Sequence, residues 1–207
     1  MTADIAQIFS FKAAIFDLDG TLIDSEEAHL TTWQYVCRKY GLPPMTMEYM
    51  RNIGGMSSRS ICERMCRENG RSDIDTQAMA NEKTGLYRSR YMQTIKLFPF
   101  IASVLQQAHV QGMKTAVATG SRMPATRFVL EKHGLLKSID TIVTSEQIKN
   151  VKPAPETYLL CAQRLKVAPR ECVAFEDTEL GMQGIKAAGM TGVRVFADRF
   201  ISDLIRP

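Results

Sequence analysis

Apolar residues follow two different patterns along the chain, and the change between them marks a change of structure. Residues 12–17 form a short apolar run rich in Ala, Ile and Phe, which is typical of a buried parallel strand. Between about residues 26 and 92, apolar side chains such as Trp33, Val36 and Cys37 recur at steps of three and four. That spacing predicts amphipathic helices, which glycine- and proline-containing turns separate from one another.

Beyond about residue 97, short apolar runs alternate with helical patterns. The predicted strands are Thr115–Ala118, Thr141–Thr144, Cys172–Phe175 and Val193–Phe196. The predicted helices are Ile101–Gln111, Ala125–His133, Glu156–Leu165 and Leu180–Ala188. Such alternation predicts an α/β fold with a doubly wound, Rossmann-like parallel sheet covered by helices on both faces. We therefore predict a core formed by residues 1–25 and 96–207, with a helical cap domain, residues 26–95, inserted after the first strand.

The composition restricts the classes of function. No apolar run approaches the roughly 20 residues that a membrane span requires, and residues 1–10 lack the features of a secretory signal. Five cysteines without regular spacing indicate reduced thiols and a cytoplasmic location. The net charge of +4 suits a small anionic substrate, and no clustered basic stripe indicates nucleic-acid binding.

The most informative residues are Asp17 and Asp19, directly after the first predicted strand. Gly20 and Thr21 turn the chain where this strand ends, and open α/β sheets place their chemistry at the carboxyl ends of central strands. Two carboxylates this close repel each other unless they share a cation or a proton. A hard divalent cation with oxygen ligands would relieve that repulsion. The pair therefore indicates metal-assisted chemistry on an anion.

Three further polar segments follow predicted strands or precede predicted helices. They are Ala118-Thr119-Gly120-Ser121, Val151-Lys152-Pro153-Ala154-Pro155-Glu156 and Phe175-Glu176-Asp177-Thr178. The series DLDGT, ATGS, KPAPE and FEDT resembles the haloacid dehalogenase superfamily of phosphotransferases, and the resemblance covers nearly the whole chain. The inserted helical block resembles the cap of the β-phosphoglucomutase-like and sugar phosphatase subgroup. The segment LLCAQR at Leu159–Arg164 resembles fructose-1-phosphatase-like enzymes of enteric bacteria.

The resemblance implies roles for the two acid pairs. Asp17 would be the nucleophile that forms an aspartyl-phosphate, although a lone aspartate at a strand end could equally cap a turn. Asp19 would act as general acid and then as general base. Asp17, the backbone carbonyl of Asp19, Glu176 and Asp177 would hold Mg²⁺, with Asp177 the firmer ligand and Glu176 either a ligand or a supporting group.

The two remaining motifs would bind the phosphoryl group. Thr119 would donate its hydroxyl to a phosphate oxygen, and the backbone N–H groups around Gly120 and Ser121 would form an anion-binding turn. These residues also suit a plain helix N-cap, and the two interpretations are compatible. Lys152 would place a positive charge on the nucleophile and the phosphate, whereas an isolated lysine is more often solvated surface.

Candidate substrate contacts in the helical block rest on the resemblance alone. His29, Trp33 and Lys83 match positions that face the active site in related sugar phosphate enzymes, although plain core packing explains Trp33 equally well. The loop with Gly55 resembles the specificity loop of the family, and Arg59 could pair with a second anion or with sugar hydroxyls.

The resemblance implies an Mg²⁺-dependent phosphatase of small phosphorylated metabolites, with sugar phosphates similar to fructose 1-phosphate as substrates. A β-phosphoglucomutase-like phosphohexomutase has the same motifs and remains the alternative. A phospho-accepting regulatory domain also combines acids, a threonine and a lysine, but it needs neither Asp19 nor a large helical insert. We expect a monomer whose partner is a small-molecule phosphate ester, with no nucleic acid and no membrane.

Overall fold

A computed structural model describes residues 5–54 and 56–207. Its strands are β1 Ala13–Phe16, β2 Ile23–Asp24, β3 Lys96–Leu97, β4 Lys114–Ala118, β5 Thr141–Val143, β6 Cys172–Glu176, β7 Thr191–Phe196 and β8 Arg199–Phe200. Within the described residues a six-stranded sheet has the order β5-β4-β1-β6-β7-β8. In this order the neighbouring strands β5, β4, β1, β6 and β7 are all parallel. The edge strand β8 pairs antiparallel with β7.

Helices cover both faces of this sheet. The helices of the described residues are α1 Ile5–Ile8, α2 Glu26–Lys39, α3 Met47–Asn52, α4 Ser58–Glu68, α5 Thr76–Arg90, α6 Pro99–Val110, α7 Met123–Lys132, α8 Glu156–Leu165 and α9 Glu179–Ala187. Those that pack on the sheet include α6, α8 and α9. The predicted α/β fold is confirmed, and the predicted helix α8 has the observed bounds. The other predicted elements shift by one or two residues at their ends, while the short strands β2, β3 and β8 are too brief to show a periodic pattern.

Strand β1 lies in the middle of the sheet, between β4 and β6, and every one of its side chains is buried. Ala14 and Phe16 face one apolar cluster and Ala13 and Ile15 face the other, as the alternation of side chains along a strand requires. Phe16 stacks on Phe175 of the neighbouring strand β6, with 4.4 Å between ring centroids. A central strand buried on both faces explains why its sequence is an unbroken apolar run.

Helices α2–α5 surround a third apolar cluster of their own, which contains Trp33, Cys37, Met65 and Met79 among others. The chain enters this helical block through β2 and leaves it through β3, and these two strands pair antiparallel. All five cysteines are buried free thiols. No helix within residues 5–54 or 56–207 has the length and apolar character of a membrane span. The division into two domains at residues 25 and 95 stays a prediction.

The helix that follows the return from the block, α6, begins with a cap from a distant part of the chain. The two carboxylate oxygens of Asp198, in the β7–β8 turn, accept from the backbone N–H groups of Phe100 and Ile101 at 3.0 Å each. These groups belong to the first turn of the helix, which has no intrahelical acceptors for its N–H groups. Asp198 therefore ties the edge of the sheet to the helix that follows the helical block.

We expect Asp198→Ala to lower the free energy of unfolding by about 1–2 kcal/mol, the usual cost of losing a helix cap. Because Asp198 has a positive φ of 63°, Asp198→Asn should lose less, since asparagine tolerates this backbone conformation and keeps one acceptor. Urea unfolding followed by circular dichroism measures both. The exposed Asp203 supplies the control, Asp203→Ala. Equal stability of Asp198→Ala and the wild type would show that the cap is not stabilising.

Candidate active site

The predicted catalytic groups meet at one edge of the sheet because β1, β4 and β6 are adjacent and parallel. Asp17 follows β1, Thr119 follows β4, and Glu176 is the last residue of β6. The backbone N–H of Asp17 donates to the carbonyl of Phe175 at 3.0 Å, so hydrogen bonding between the strands continues up to Asp17. Regular sheet structure thus positions the proposed nucleophile.

Lys152 joins two of these strands through its ammonium group. Its Nζ donates to Asp17 Oδ1 at 2.6 Å and to Glu176 Oε2 at 2.7 Å, with the carbonyl of Ala118 at 3.5 Å. The side chain is only 1% exposed. Burial by itself lowers the pKa of Lys152, but the charges of Asp17 and Glu176 outweigh it and hold the pKa well above its usual value. Lys152 is therefore an ammonium ion that bridges two carboxylates.

Glu176 has hydrogen-bond donors on both carboxylate oxygens. Oε2 accepts from Lys152 and from the phenol of Tyr158 at 2.6 Å, and Oε1 accepts from the hydroxyl of Thr178 at 2.5 Å and its backbone N–H at 3.1 Å. Burial opposes ionisation of Glu176, yet the charge of Lys152 and these donors lower its pKa below the usual range. Glu176 is thus an ionised carboxylate with fully engaged oxygens.

Asp17, Glu176 and Asp177 form an acidic cluster that could hold a metal ion. One carboxylate oxygen from each lies within 4.8 Å of the others. Burial, and then the charge of Glu176, raise the pKa values of Asp17 and Asp177 well above the usual range. Three carboxylates face a single ammonium group, which leaves a deficit of two positive charges when all three are ionised. A divalent cation with oxygen ligands would balance this deficit.

The turn after β1 is shaped to leave room for Asp177. Gly20 has a φ of +82°, and a Cβ atom on it would lie 2.2 Å from Asp177 Oδ2. The hydroxyl of Thr21 donates to Asp177 Oδ1 at 3.3 Å. Glycine is needed here both for the left-handed backbone conformation and for the space that Asp177 occupies.

Asp19 has a separate environment. Its Oδ1 accepts from the hydroxyl of Ser25 at 2.8 Å and from His29 Nε2 at 3.1 Å, and its Oδ2 accepts from the hydroxyl of Ser121 at 2.7 Å. Burial raises the pKa of Asp19, but His29 and then the two hydroxyls outweigh it and lower the pKa below its usual value. In this arrangement Asp19 is held as an ionised carboxylate.

Thr119 and Ser121 form a tight turn after β4, with Gly120 between them. The backbone N–H of Ser121 donates to Thr119 Oγ1 at 3.0 Å. A hydroxyl oxygen that accepts in this way can still donate its own hydrogen to a ligand. Ser121 combines the predicted backbone position with a side chain that contacts Asp19, which the sequence did not predict.

The helical block supplies a polar chain that ends at Asp19. Lys83 Nζ lies 2.6 Å from His29 Nδ1, and His29 stacks on Tyr87 with 4.3 Å between ring centroids. The ammonium group of Lys83 lies 5.0 Å from the centre of the Trp33 ring and 5.2 Å from that of Tyr87, within the range of cation–π attraction.

The protonation of this chain follows from its contacts. Burial lowers the pKa of Lys83 to about 8, and burial followed by the charge of Lys83 lowers the pKa of His29. An ammonium that donates to Nδ1 leaves the proton of neutral His29 on Nε2, from which it donates to Asp19. His29 therefore holds Asp19 by donating a hydrogen bond while it remains neutral.

The loop after α3 places the helical block against the core. A Cβ atom on Gly54 would lie 2.5 Å from Thr178 Cγ2, at the start of α9. Arg51 lies over the ring of Phe196, 5.5 Å from its centroid. Gly55, a predicted substrate-binding residue, lies outside the described residues. The block thus meets the core beside the acidic cluster.

Arg59 is the predicted substrate-binding residue that faces solvent. Its side chain is 62% exposed and pairs with Glu63, one turn further along α4, at 2.8 Å. Trp33, in contrast, is 2% exposed and packs in the apolar cluster of the helical block. A role of Arg59 at the substrate stays a prediction.

Sequence reasoning missed three residues that contact the site: Ser25, Tyr158 and Thr178. Thr178 could have been found, because a threonine before the helical pattern that begins near residue 180 signals an N-cap. Its side chain does accept from the backbone N–H of Gly181 at 3.1 Å. Ser25 carries the same signal, since it precedes α2, but its hydroxyl donates to Asp19 and does not cap the helix. Tyr158 carries no such signal, because its partner lies on another element.

Comparison with known proteins identifies the family of this chain. The family model of haloacid dehalogenase-like hydrolases matches residues 14–195. Fructose-1-phosphate phosphatase YqaB of Escherichia coli (strain K12) is 36% identical over 185 residues, which cover 89% of this chain and 96% of that protein. Hexitol phosphatase A of the same organism is 34% identical over 188 residues, covering 90% of this chain and 83% of that protein.

Among solved structures, that of β-phosphoglucomutase from Clostridium difficile is similar to this chain with a TM-score of 0.81 and 28% identity. The similarity covers 89% of this chain and 84% of that one. These findings confirm the resemblance carried by the four motifs. The protein belongs to the haloacid dehalogenase-like hydrolase family and is a phosphatase with a β-phosphoglucomutase-like structure.

Proposed function

We propose that this protein is an Mg²⁺-dependent phosphatase of small sugar phosphates, similar to fructose 1-phosphate, that acts through an aspartyl-phosphate on Asp17. The observation that carries the proposal is the contrast between two aspartates at one strand end. Asp17 lies in an acidic cluster beside Lys152, whereas Asp19 is held by neutral donors. Carboxylates with different environments are the usual basis for separate roles in acid–base and nucleophilic catalysis.

In the first step Asp17 attacks phosphorus, and its carboxylate oxygen becomes bonded to the phosphoryl group. Lys152 keeps Asp17 oriented and offsets charge on the transferred group. Thr119 and the backbone N–H groups around Gly120 and Ser121 bind phosphate oxygens. Mg²⁺, held by Asp17, the Asp19 carbonyl and Asp177, would reduce the repulsion between the anionic nucleophile and the anionic substrate.

Asp19 then transfers protons to and from oxygen. Its donors keep Asp19 ionised, so it must first take up a proton from solvent, and a bound substrate must displace Ser121 or His29, before Asp19 can protonate the leaving alcohol. After the alcohol leaves, the ionised Asp19 deprotonates the water that hydrolyses the aspartyl-phosphate. His29 connects this proton transfer to Lys83 in the helical block.

Two relatives support sugar and sugar-alcohol phosphates as the substrate class, since one is a fructose-1-phosphate phosphatase and the other a hexitol phosphatase. Residues 26–95 would act as the cap that selects the substrate, through His29, Trp33, Gly55, Arg59 and Lys83. We further infer a monomer that works in the cytoplasm, and five free thiols are consistent with a reducing compartment.

A phosphohexomutase remains the second candidate. The structural similarity to β-phosphoglucomutase favours it, and the buried chain from Lys83 through His29 to Asp19 would serve either reaction. The two reactions differ only in whether water or a sugar hydroxyl reaches the aspartyl-phosphate.

The first prediction concerns the metal. Mg²⁺ at one hundred times its Kd should stabilise the metal-free protein by about 2.7 kcal/mol, a rise in Tm of roughly 5–10 °C for a chain of this size. Asp177→Asn removes one of three crowded charges, so in chelator it should melt above the wild type, and it should lose most of the Mg²⁺ response. The exposed control Asp203→Asn should respond like the wild type. A full response in Asp177→Asn would exclude Asp177 as a ligand.

The second prediction concerns Asp19. Asp19→Asn keeps the size and one acceptor oxygen but cannot transfer a proton, and such transfer is typically worth about 10²–10⁴-fold in rate. We expect a loss of that size for fructose 1-phosphate and a much smaller loss for 4-nitrophenyl phosphate, whose phenolate leaves without protonation. Initial rates on both substrates give the ratio. Equal losses would limit Asp19 to support of the metal.

The third prediction tests the phosphatase against the mutase. With β-glucose 1-phosphate and a trace of glucose 1,6-bisphosphate, we expect little glucose 6-phosphate. From a preferred member of a phosphate ester panel, we expect inorganic phosphate over many turnovers, and none from Asp17→Asn. Coupled assays follow both products. Rapid conversion to glucose 6-phosphate with negligible phosphate release would establish the mutase instead.

A further inference from the structure

The phenol of Tyr158 contacts the buried charged groups of the candidate active site. Tyr158 lies in the first turn of α8 and has no exposed surface. Its hydroxyl donates to Glu176 Oε2 at 2.6 Å, and its ring centre lies 5.2 Å from Lys152 Nζ. Its hydroxyl has no hydrogen bond to Asp17 or Thr119 among the described residues, so we expect its effect on the reaction to pass through Glu176 and Lys152.

The space for this ring is built into the neighbouring helix. A Cβ atom on Gly184, in α9, would lie 3.3 Å from Tyr158 Cε2, which is tighter than ordinary van der Waals contact. The other oxygen of Glu176 is held by Thr178. Gly184 leaves room for the Tyr158 ring. Tyr158 therefore donates to Oε2, the oxygen of Glu176 that Thr178 does not hold.

The Oε2 atom of Glu176 accepts from two donors, the phenol of Tyr158 and the ammonium group of Lys152. The phenol thereby affects how strongly Glu176 attracts Lys152. Because Lys152 and Tyr158 both donate to Oε2, they compete for the electron density of one acceptor, and the phenol weakens the attraction of this oxygen for the ammonium group. Lys152 therefore remains within 2.6 Å of Asp17 Oδ1 although a second carboxylate lies 2.7 Å away. Without the phenol, Glu176 would attract the ammonium group more strongly, and Asp17 would lose part of its partner.

We propose that Tyr158 is a positioning residue that keeps the Lys152 ammonium group shared between Glu176 and Asp17. It acts through the hydrogen bond of its phenol to Glu176. This inference rests on the proposed function, because the orientation of Asp17 affects the reaction rate only if Asp17 attacks phosphorus. It also assigns Glu176 chiefly to holding Lys152, since Lys152, Tyr158 and Thr178 already engage both of its carboxylate oxygens.

Tyr158→Phe tests the proposal because phenylalanine fills the same space and lacks only the hydroxyl. We expect kcat for the preferred phosphate ester to fall roughly tenfold, the order of effect of a lost hydrogen bond to a buried charged group. KM should change less than about twofold, because Tyr158 does not touch the substrate. Steady-state kinetics at saturating Mg²⁺ measures both, and thermal unfolding shows that the variant is folded.

A double-mutant cycle with Glu176→Gln tests whether the effect of Tyr158 on kcat passes through Glu176. If Tyr158 acts only through Glu176, adding Tyr158→Phe to Glu176→Gln should reduce kcat by less than about twofold further. Tyr40→Phe is the matched control, because Tyr40 also donates a phenol to a carboxylate, Glu82 Oε2 at 3.1 Å, but within the helical block. It should keep the kcat and KM of the wild type.

The outcomes separate this inference from the proposed function. An active wild type with an equally active Tyr158→Phe variant would overturn the positioning role alone. The same tenfold loss in the Glu176→Gln background would also overturn it, because the effect would then bypass Glu176. A wild type that releases phosphate from no ester of the panel would overturn the proposed function, and the positioning role with it.

Discussion

The buried ammonium group of Lys152 is the constraint on which the rest of the site depends. It joins Asp17 and Glu176, which belong to neighbouring parts of the sheet, in surroundings with almost no exposed surface. Removing one member of such a buried pair typically costs about 3–5 kcal/mol, because the remaining charge is left unpaired. The three side chains therefore fix one another, and Asp17, the proposed nucleophile, is oriented before any substrate arrives.

The same constraint creates the demand for a cation. One ammonium group cannot balance Asp17, Glu176 and Asp177 when all are ionised, and burial, together with the charge of Glu176, raises the pKa of both aspartates. Asp19, only two residues from Asp17, avoids this problem because its donors are two hydroxyls and a histidine. Two identical side chains at one strand end thus acquire different chemistry from the elements that surround them.

The helical block contacts the candidate site. His29 and Lys83 extend the environment of Asp19 into the block, and the close approach of Gly54 to Thr178 sets the block against the start of α9. A change in the position of the block would therefore change the donors of Asp19 while leaving Lys152 and Asp17 in place.

The sequence by itself determined the α/β fold, the helical insert and the four motifs at the strand ends. It could do so because strand alternation, helical periodicity and turn residues are local, and because parallel strands bring their carboxyl ends to one edge. Only the tertiary structure decided that Ser25 and Ser121 hold Asp19, that Tyr158 donates to Glu176, and that Asp198 caps α6. Each of these contacts joins different elements of the fold, and no local pattern encodes how those elements lie against one another. Hydrogen bonds of this kind are sensitive to differences of a few tenths of an ångström in the donor–acceptor distance, and packing sets that distance only when the whole chain is folded.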